Sequence, residues 1–150
     1  KAHVNFTSFN RRVLMTGEVP SADAKAEAES LVVAVPNVLG VYNELIVGPV
    51  TSFSDRSNDS YITSKVKSRS VDSGKFNPVH VKVVTEAGTV FLLGMVTQPE
   101  ADSAINVART TSGVKKVVNL LEIIAPAKAR ELDVTQSNGG KQAPAEVTNP

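Results

Sequence analysis

Val79, Val81 and Val83 alternate with His80 and Lys82, the two-residue period of a strand with one face buried. Thr85-Glu86-Ala87-Gly88-Thr89 supplies a hairpin turn, with Gly88 free to take positive φ, and Val90-Phe91-Leu92-Leu93 continues as an apolar strand up to Gly94. The period then lengthens. Ala101, Ala104, Ile105 and Ala108 recur at helical spacing behind Pro99, Glu100 and Asp102, residues that favour a helix N-terminus. Gly113 stands where a left-handed cap would end that helix, and Val117 to Ile123 closes the unit as a strand.

The first part of the chain follows the same pattern. His3 to Thr7 opens it as a strand, Asn10-Arg11-Arg12 forms the turn, and Val13-Leu14-Met15 runs up to Gly17. Ala24, Ala28, Leu31 and Val35 mark the helix face, Asn37 replaces Gly113 as the cap, and Val41 to Val47 is the closing strand. Gly17 and Gly94 lie 77 positions apart, Asn43 and Asn119 76, so the copies differ by about one residue. A repeat of this length is closer to a small domain than to a solenoid unit. Each copy is a ββαβ unit whose helix connection gives a parallel crossover, hence an α+β fold with two mixed sheets.

The copies are not equivalent. Ser57-Asn58-Asp59 is a capping sequence ahead of a helical segment running to Gly74, in which Ile62 and Val66 share a face suited to docking on a sheet. Nothing comparable precedes His3, which leaves one face of the first sheet in need of cover that the second unit could supply. The expected organisation is a first module over 1–48, a linker over 49–54, a second module over 55–125, and a disordered tail over 126–150, where no apolar period is sustained.

Composition removes several chemistries. The chain of 150 residues has no cysteine, so disulfides, thiolate catalysis and cysteine-bound metal drop out. A net charge of +1 gives no overall attraction to nucleic acid. No nucleophile sits beside a base, no glycine-rich loop opens a helix, and His3 and His80 have no ligand-spaced partners. Neither an enzymatic role nor a cofactor is expected. Arg11 and Arg12 suit a phosphate or an acidic partner, but a solvated turn accounts for them better.

Local charge is more informative. Between Lys65 and Lys82 the cations are Lys65, Lys67, Arg69, Lys75 and Lys82, against the single acid Asp72. With Ile62 and Val66 turned inward, Tyr61 and Lys65 fall on an outer face, with Lys67 and Val71 alongside. Such a surface suits anionic headgroups, with the tyrosine ring at the interface; it is also what an ordinary solvated helix face looks like. Ser70, one turn beyond Val66, is consistent either with fraying or with a tilt that presents Val71.

The ordered set of a capped helix, a strand, the Gly88 turn, Val90 to Gly94, the alanine-rich helix, Gly113-Val114 and Val117-x-Asn119 resembles a BON domain, and the first copy repeats it without the leading helix. Tandem copies are similar to the dual-BON lipoproteins of the Gram-negative outer membrane. That resemblance implies a non-enzymatic periplasmic protein, anchored at the outer membrane by a lipidated cysteine upstream of Lys1, supporting envelope integrity. It implies an anionic phospholipid surface as the partner, bound by Tyr61, Lys65, Lys67, Arg69, Val71 and Lys75 of the second module. The rival reading is a scaffold that docks envelope proteins or another copy of itself. The sequence leaves the oligomeric state open.

Overall fold

A computed structural model describes residues 1–139, and side chains as far as Leu132. Strands β1 (His3–Phe9) and β2 (Arg12–Val19) pair antiparallel, helix α1 (Ala22–Val33) crosses back, and β3 (Gly40–Asn43) and β4 (Ile46–Val47) both lie parallel to β2. Helix α2 (Phe53–Ser73) and a 3₁₀ turn (Pro78–His80) lead into the second unit. There β5 (Val81–Glu86) pairs antiparallel with β6 (Thr89–Val96), helix α3 (Gln98–Arg109) crosses, and β7 (Lys116–Ile123) runs parallel to β6. The expected α+β architecture of two mixed sheets is what the chain adopts.

Matching backbone demands recur in both copies. The hairpin tips Asn10-Arg11 and Ala87-Gly88 hold positive φ at both central residues, as a tight turn matched to strand twist requires. Asn37 (φ 69°) and Gly113 (φ 90°) both take the left-handed conformation beyond their helices. A Cβ on Gly17 would lie 1.9 Å from the His3 carbonyl oxygen, and one on Gly94 2.1 Å from that of His80. Both glycines are therefore fixed by backbone approach across the hairpin.

Strand parity assigns the layers. Val13, Met15 and Val19 of β2 meet Ala24, Ala28 and Val32 of α1, while Leu14, on the opposite face, joins Phe91 and Leu93 of β6. Phe9, Tyr42, Val84, Val118 and Leu120 surround that second cluster, so the two sheets pack face to face. Val90, Leu92 and Val96 point the other way, into the largest core with Ile62 and Val66 of α2 and Ala101, Ala104 and Ala108 of α3. The layers thus run α1, first sheet, second sheet, then α2 with α3. Central strands covered on both faces explain the apolar runs Val13-Leu14-Met15 in β2 and Val90-Phe91-Leu92-Leu93 in β6.

Polar contacts tie the modules at the edges of this sandwich. Arg12 pairs with Glu122, which also accepts from Asn10. Buried Glu86 accepts from Asn5 (2.5 Å) and Thr16 (3.2 Å), and Lys82 Nζ donates to the Ser8 carbonyl (3.0 Å). The pairing with Glu122 holds the Arg12 pKa above its ordinary value, first through the hydrogen bond and then through charge.

Several expectations change. The second module does cover the first sheet, but on the Leu14 face; on the α1 side Phe6 and Leu31 stay 59% and 67% exposed. Leu31 occupies the place in α1 that Val107 holds in α3, and Val107 is buried beside Ile62 and Val66 of α2, whose place beside α1 no described residues take. Val35 is likewise exposed, and Val32 takes the inward role. The first module's closing strand breaks at Glu44-Leu45, where Leu45 turns into the core. Helix α2 starts earlier than the Ser57-Asn58-Asp59 sequence suggests. Its cap is Ser52, whose hydroxyl accepts from Asp55 N, so the helix begins inside the segment read as linker. Finally, residues 126–139 form helix α4 (Pro126–Gly139) where a disordered tail is expected; residues 140–150 lie outside the described residues. Pro126 sits at the first helical position and Ala, Lys, Arg, Glu and Leu, all strong helix formers, follow.

Candidate functional site

At about 100° per residue, α2 turns Asp59, Ile62, Val66 and Ser70 inward, and all four are buried. Ser70 does not mark fraying: its hydroxyl donates to the Val66 carbonyl at 2.7 Å and the helix runs on to Ser73 before Gly74 caps it. Asp59 accepts from Ala87 N (2.8 Å) and Gly88 N (2.9 Å), so the helix pins the β5–β6 turn. Thr63 donates to Thr85 on β5 at 2.7 Å. These bonds set the rotation of the helix and hence what its outer face displays.

The outer face divides into two flanks. Toward α3, Lys65 Nζ lies 4.6 Å from the centre of the Tyr61 ring and donates to the Ser112 carbonyl (2.6 Å) and hydroxyl (2.8 Å). Arg69 donates to the Val107 carbonyl (2.8 Å), Thr111 Oγ1 (2.7 Å) and Thr110 Oγ1 (3.0 Å). Both cations therefore sit at the C-terminal end of α3, where free carbonyls and the helix dipole favour positive charge.

Toward β5 the arrangement differs. Lys67 and Val71, one turn apart, border a groove with Pro78, Val79, Val81, Lys82 and Val83 of the second module and Phe9 of the first. Val71 is 65% exposed and Val79 69%. Lys75 is exposed just past Gly74. The six residues expected to form one site are thus brought to one helix and its end, but not to one patch: Lys65 and Arg69 turn to α3, Lys67 and Val71 to β5, and Tyr61, 61% exposed, lies on the α3 side of the crest.

Val79 and Phe9 escaped the sequence reading. Val79 has the spacing of a core strand residue, yet Asn77 caps a 3₁₀ turn with Pro78 at its start, and the strand begins only at Val81. The Asn-Pro pair is the available signal, since it favours a turn. His80, in the same turn, is buried instead of lying on a surface strand.

A polar cleft between the modules is lined by His3, Asn5, Arg56, Asp59, Thr63 and Glu86 among others. Its acids are bound up in structural contacts: Glu86 with Asn5 and Thr16, and Asp59 with the hairpin. Nearby Glu18 accepts from His3 Nδ1 (2.9 Å) and Thr51 N (2.9 Å). Burial alone would raise the Glu18 pKa, but the hydrogen bonds from Thr51 and His3 outweigh it and hold the carboxyl below its ordinary value. Among the described residues, no three His, Asp or Glu side chains converge as a metal-ligand set.

Comparison with known proteins matches this architecture in sequence. Over 124 residues the chain is 44% identical to the outer membrane lipoprotein DolP of Haemophilus influenzae, and 34% identical to the 21 kDa hemolysin of Actinobacillus pleuropneumoniae. Each alignment covers 83% of this chain, which spans 64% of the length of either relative. Among solved structures, CdsD, a structural protein of the type III secretion system of Chlamydia trachomatis, is 17% identical over 87% of this chain and 90% of its own, with a TM-score of 0.39. The BON domain profile matches residues 1–49 and again 58–125, one match for each sheet and its crossing helix. Two copies of one ββαβ frame packed back to back make this chain a member of the BON domain family.

Proposed function

We propose that the chain is a non-enzymatic envelope module that binds an anionic phospholipid surface through the outer face of α2 and supports outer-membrane integrity from the periplasmic side. The observation that carries this reading is the juxtaposition of exposed Tyr61 and Val71 with Lys65, Lys67, Arg69 and Lys75 on one helix and its end. An apolar and aromatic crest flanked by cations suits the boundary between headgroups and acyl chains. The relative named as an outer membrane lipoprotein supports the location. Each cation near such a surface contributes about 1 kcal/mol, so three or four alone give millimolar-range affinity. A membrane anchor would raise the effective concentration enough to make so weak a site useful.

Sedimentation of the chain with vesicles of phosphatidylglycerol or of phosphatidylcholine tests this reading. Binding to the first that weakens with salt, and weakens further in a Tyr61→Ala, Lys67→Glu variant, is the expected result. Equal recovery with both lipids would sink it. The scaffold reading draws on the apolar exposure of Phe6, Leu31 and Leu39 on the first module. It gains if envelope integrity in cells is unaffected by a variant that no longer binds vesicles.

A further inference from the structure

We infer that the phospholipid seats in a groove shared by both modules, lying on the β5 flank of α2, while Lys65 and Arg69 on the α3 flank add long-range positive charge and make no direct contact with it. This rests on the lipid-binding reading above and specifies where an anionic phospholipid seats. The two flanks differ in what their cations already do. Lys65 and Arg69 are engaged by the Ser112 and Val107 carbonyls at the end of α3. A phosphate placed there would compete with those carbonyls and meet the negative end of the helix dipole.

On the β5 flank the charges are available and the floor is apolar. Val71 and Val79 present branched side chains to solvent on either side of the groove, and Pro78 and Phe9 complete its apolar lining. Among the described residues, Lys67 and Lys82 are the only charged ones lining it, and both are positive. Lys82 uses one N–H on the Ser8 carbonyl, leaving two of its three donors for a ligand. An apolar trough bordered by two lysines complements an acyl chain beneath an anionic headgroup, and it complements neither a neutral lipid nor an acidic peptide lacking apolar side chains. Phe9 and Ser8 belong to the first module, so that module forms one wall of the site besides covering a sheet.

The absence of cysteine from the sequence allows a direct test in the full chain. Val79→Cys and Thr110→Cys, each labelled with an environment-sensitive fluorophore, place one probe on each flank, both at exposed positions. With phosphatidylglycerol vesicles the probe at 79 is expected to shift to the blue and brighten, the probe at 110 to stay unchanged, and neither to respond to phosphatidylcholine. Lys67→Gln should lower vesicle affinity about fivefold, the loss of one cation, with an unchanged unfolding midpoint confirming the fold. A response at 110 with none at 79 would overturn the groove while leaving lipid binding by α2 intact. Failure of the unlabelled protein to sediment with phosphatidylglycerol overturns both.

Discussion

Asp59, in the middle of α2, accepts hydrogen bonds from the backbone of Gly88 and its neighbour Ala87 at the far tip of the β5–β6 hairpin, 2.9 and 2.8 Å away. The carboxylate is buried, and the two amides it satisfies have no strand partner at a turn whose residues both hold positive φ. Removing it strands two donors that water reaches poorly. Asp59→Ala is expected to cost about 3 kcal/mol, from charge-assisted bonds of about 1.5–3 kcal/mol each, partly recovered by hydration. Urea unfolding measures this, and a cost below about 1 kcal/mol would mean that the turn does not depend on the helix.

The interface between the sheets should make the modules unfold together. Leu14, fully buried against Phe91 and Leu93, has no exposure to lose on one side without opening the other. Leu14→Ala should cost about 2–5 kcal/mol. A Leu93→Asp variant should go further and split a single thermal transition into two, because a charge cannot stay unpaired between sheets. By contrast, Arg12 and Glu122 are part-exposed at 37% and 27%, and a double-mutant cycle between them should give no more than about 1 kcal/mol.

Much of this fold is legible in the repeat itself. Comparing Asn37 with Gly113, and Gly17 with Gly94, identifies equivalent backbone positions through residues that differ or stand alone, because only a few residue types tolerate those conformations. What periodicity does not reveal is which side of a two-faced strand meets which partner. The run Val13-Leu14-Met15 puts apolar side chains on both faces, and nothing in it says that Leu14 meets the other module while Met15 meets α1. The candidate site was legible as a helix and illegible as a surface. A helical wheel places Lys65 and Lys67 outward alike, but only the position of the α3 end shows that Lys65 is occupied. Asp59 reads locally as a cap, since its real partners lie 28 and 29 residues away.

Gly94→Ala and Gly17→Ala should be far more damaging than their size suggests. The new methyl would lie 2.1 Å from the carbonyl oxygen of His80, just ahead of β5, or 1.9 Å from that of His3 in β1, and neither backbone can retreat without disturbing the paired hairpin. A loss of several kcal/mol is expected in each case, with soluble yield and thermal midpoint as the readout. Tolerance at either position would show that the hairpin is looser than its register implies.

Leu31 and Val107 offer a matched comparison, since they hold the same place in two 12-residue helices. Val107→Ser removes a side chain packed in the core with Ile62 and Val66 and buries a hydroxyl there, so a loss of about 2–3 kcal/mol is expected. Leu31→Ser, at 67% exposure, should change stability of this chain by no more than about 0.5 kcal/mol. A large loss at Leu31 would mean that something covers the α1 side in solution, which analytical ultracentrifugation could then identify as self-association.

Glu18 should make stability fall in acid. Its folded pKa is depressed below the ordinary 4.5: burial opposes the charge, but the bonds from Thr51 and His3 prevail. When the unfolded state binds a proton more readily than the folded one, stability rises with pH through that interval. The contribution is therefore complete above about 4.5 and is lost as pH falls through the folded value, with a slope for one proton of at most about 1.4 kcal/mol per pH unit. Because Thr51 lies just ahead of α2, this carboxylate also fastens the connection between the modules to β2. Glu18→Gln keeps the shape and one acceptor but cannot titrate. Chemical denaturation between pH 7 and 3 should give a shallower acid decline for the variant than for the parent chain; identical slopes would assign the acid sensitivity to other carboxylates.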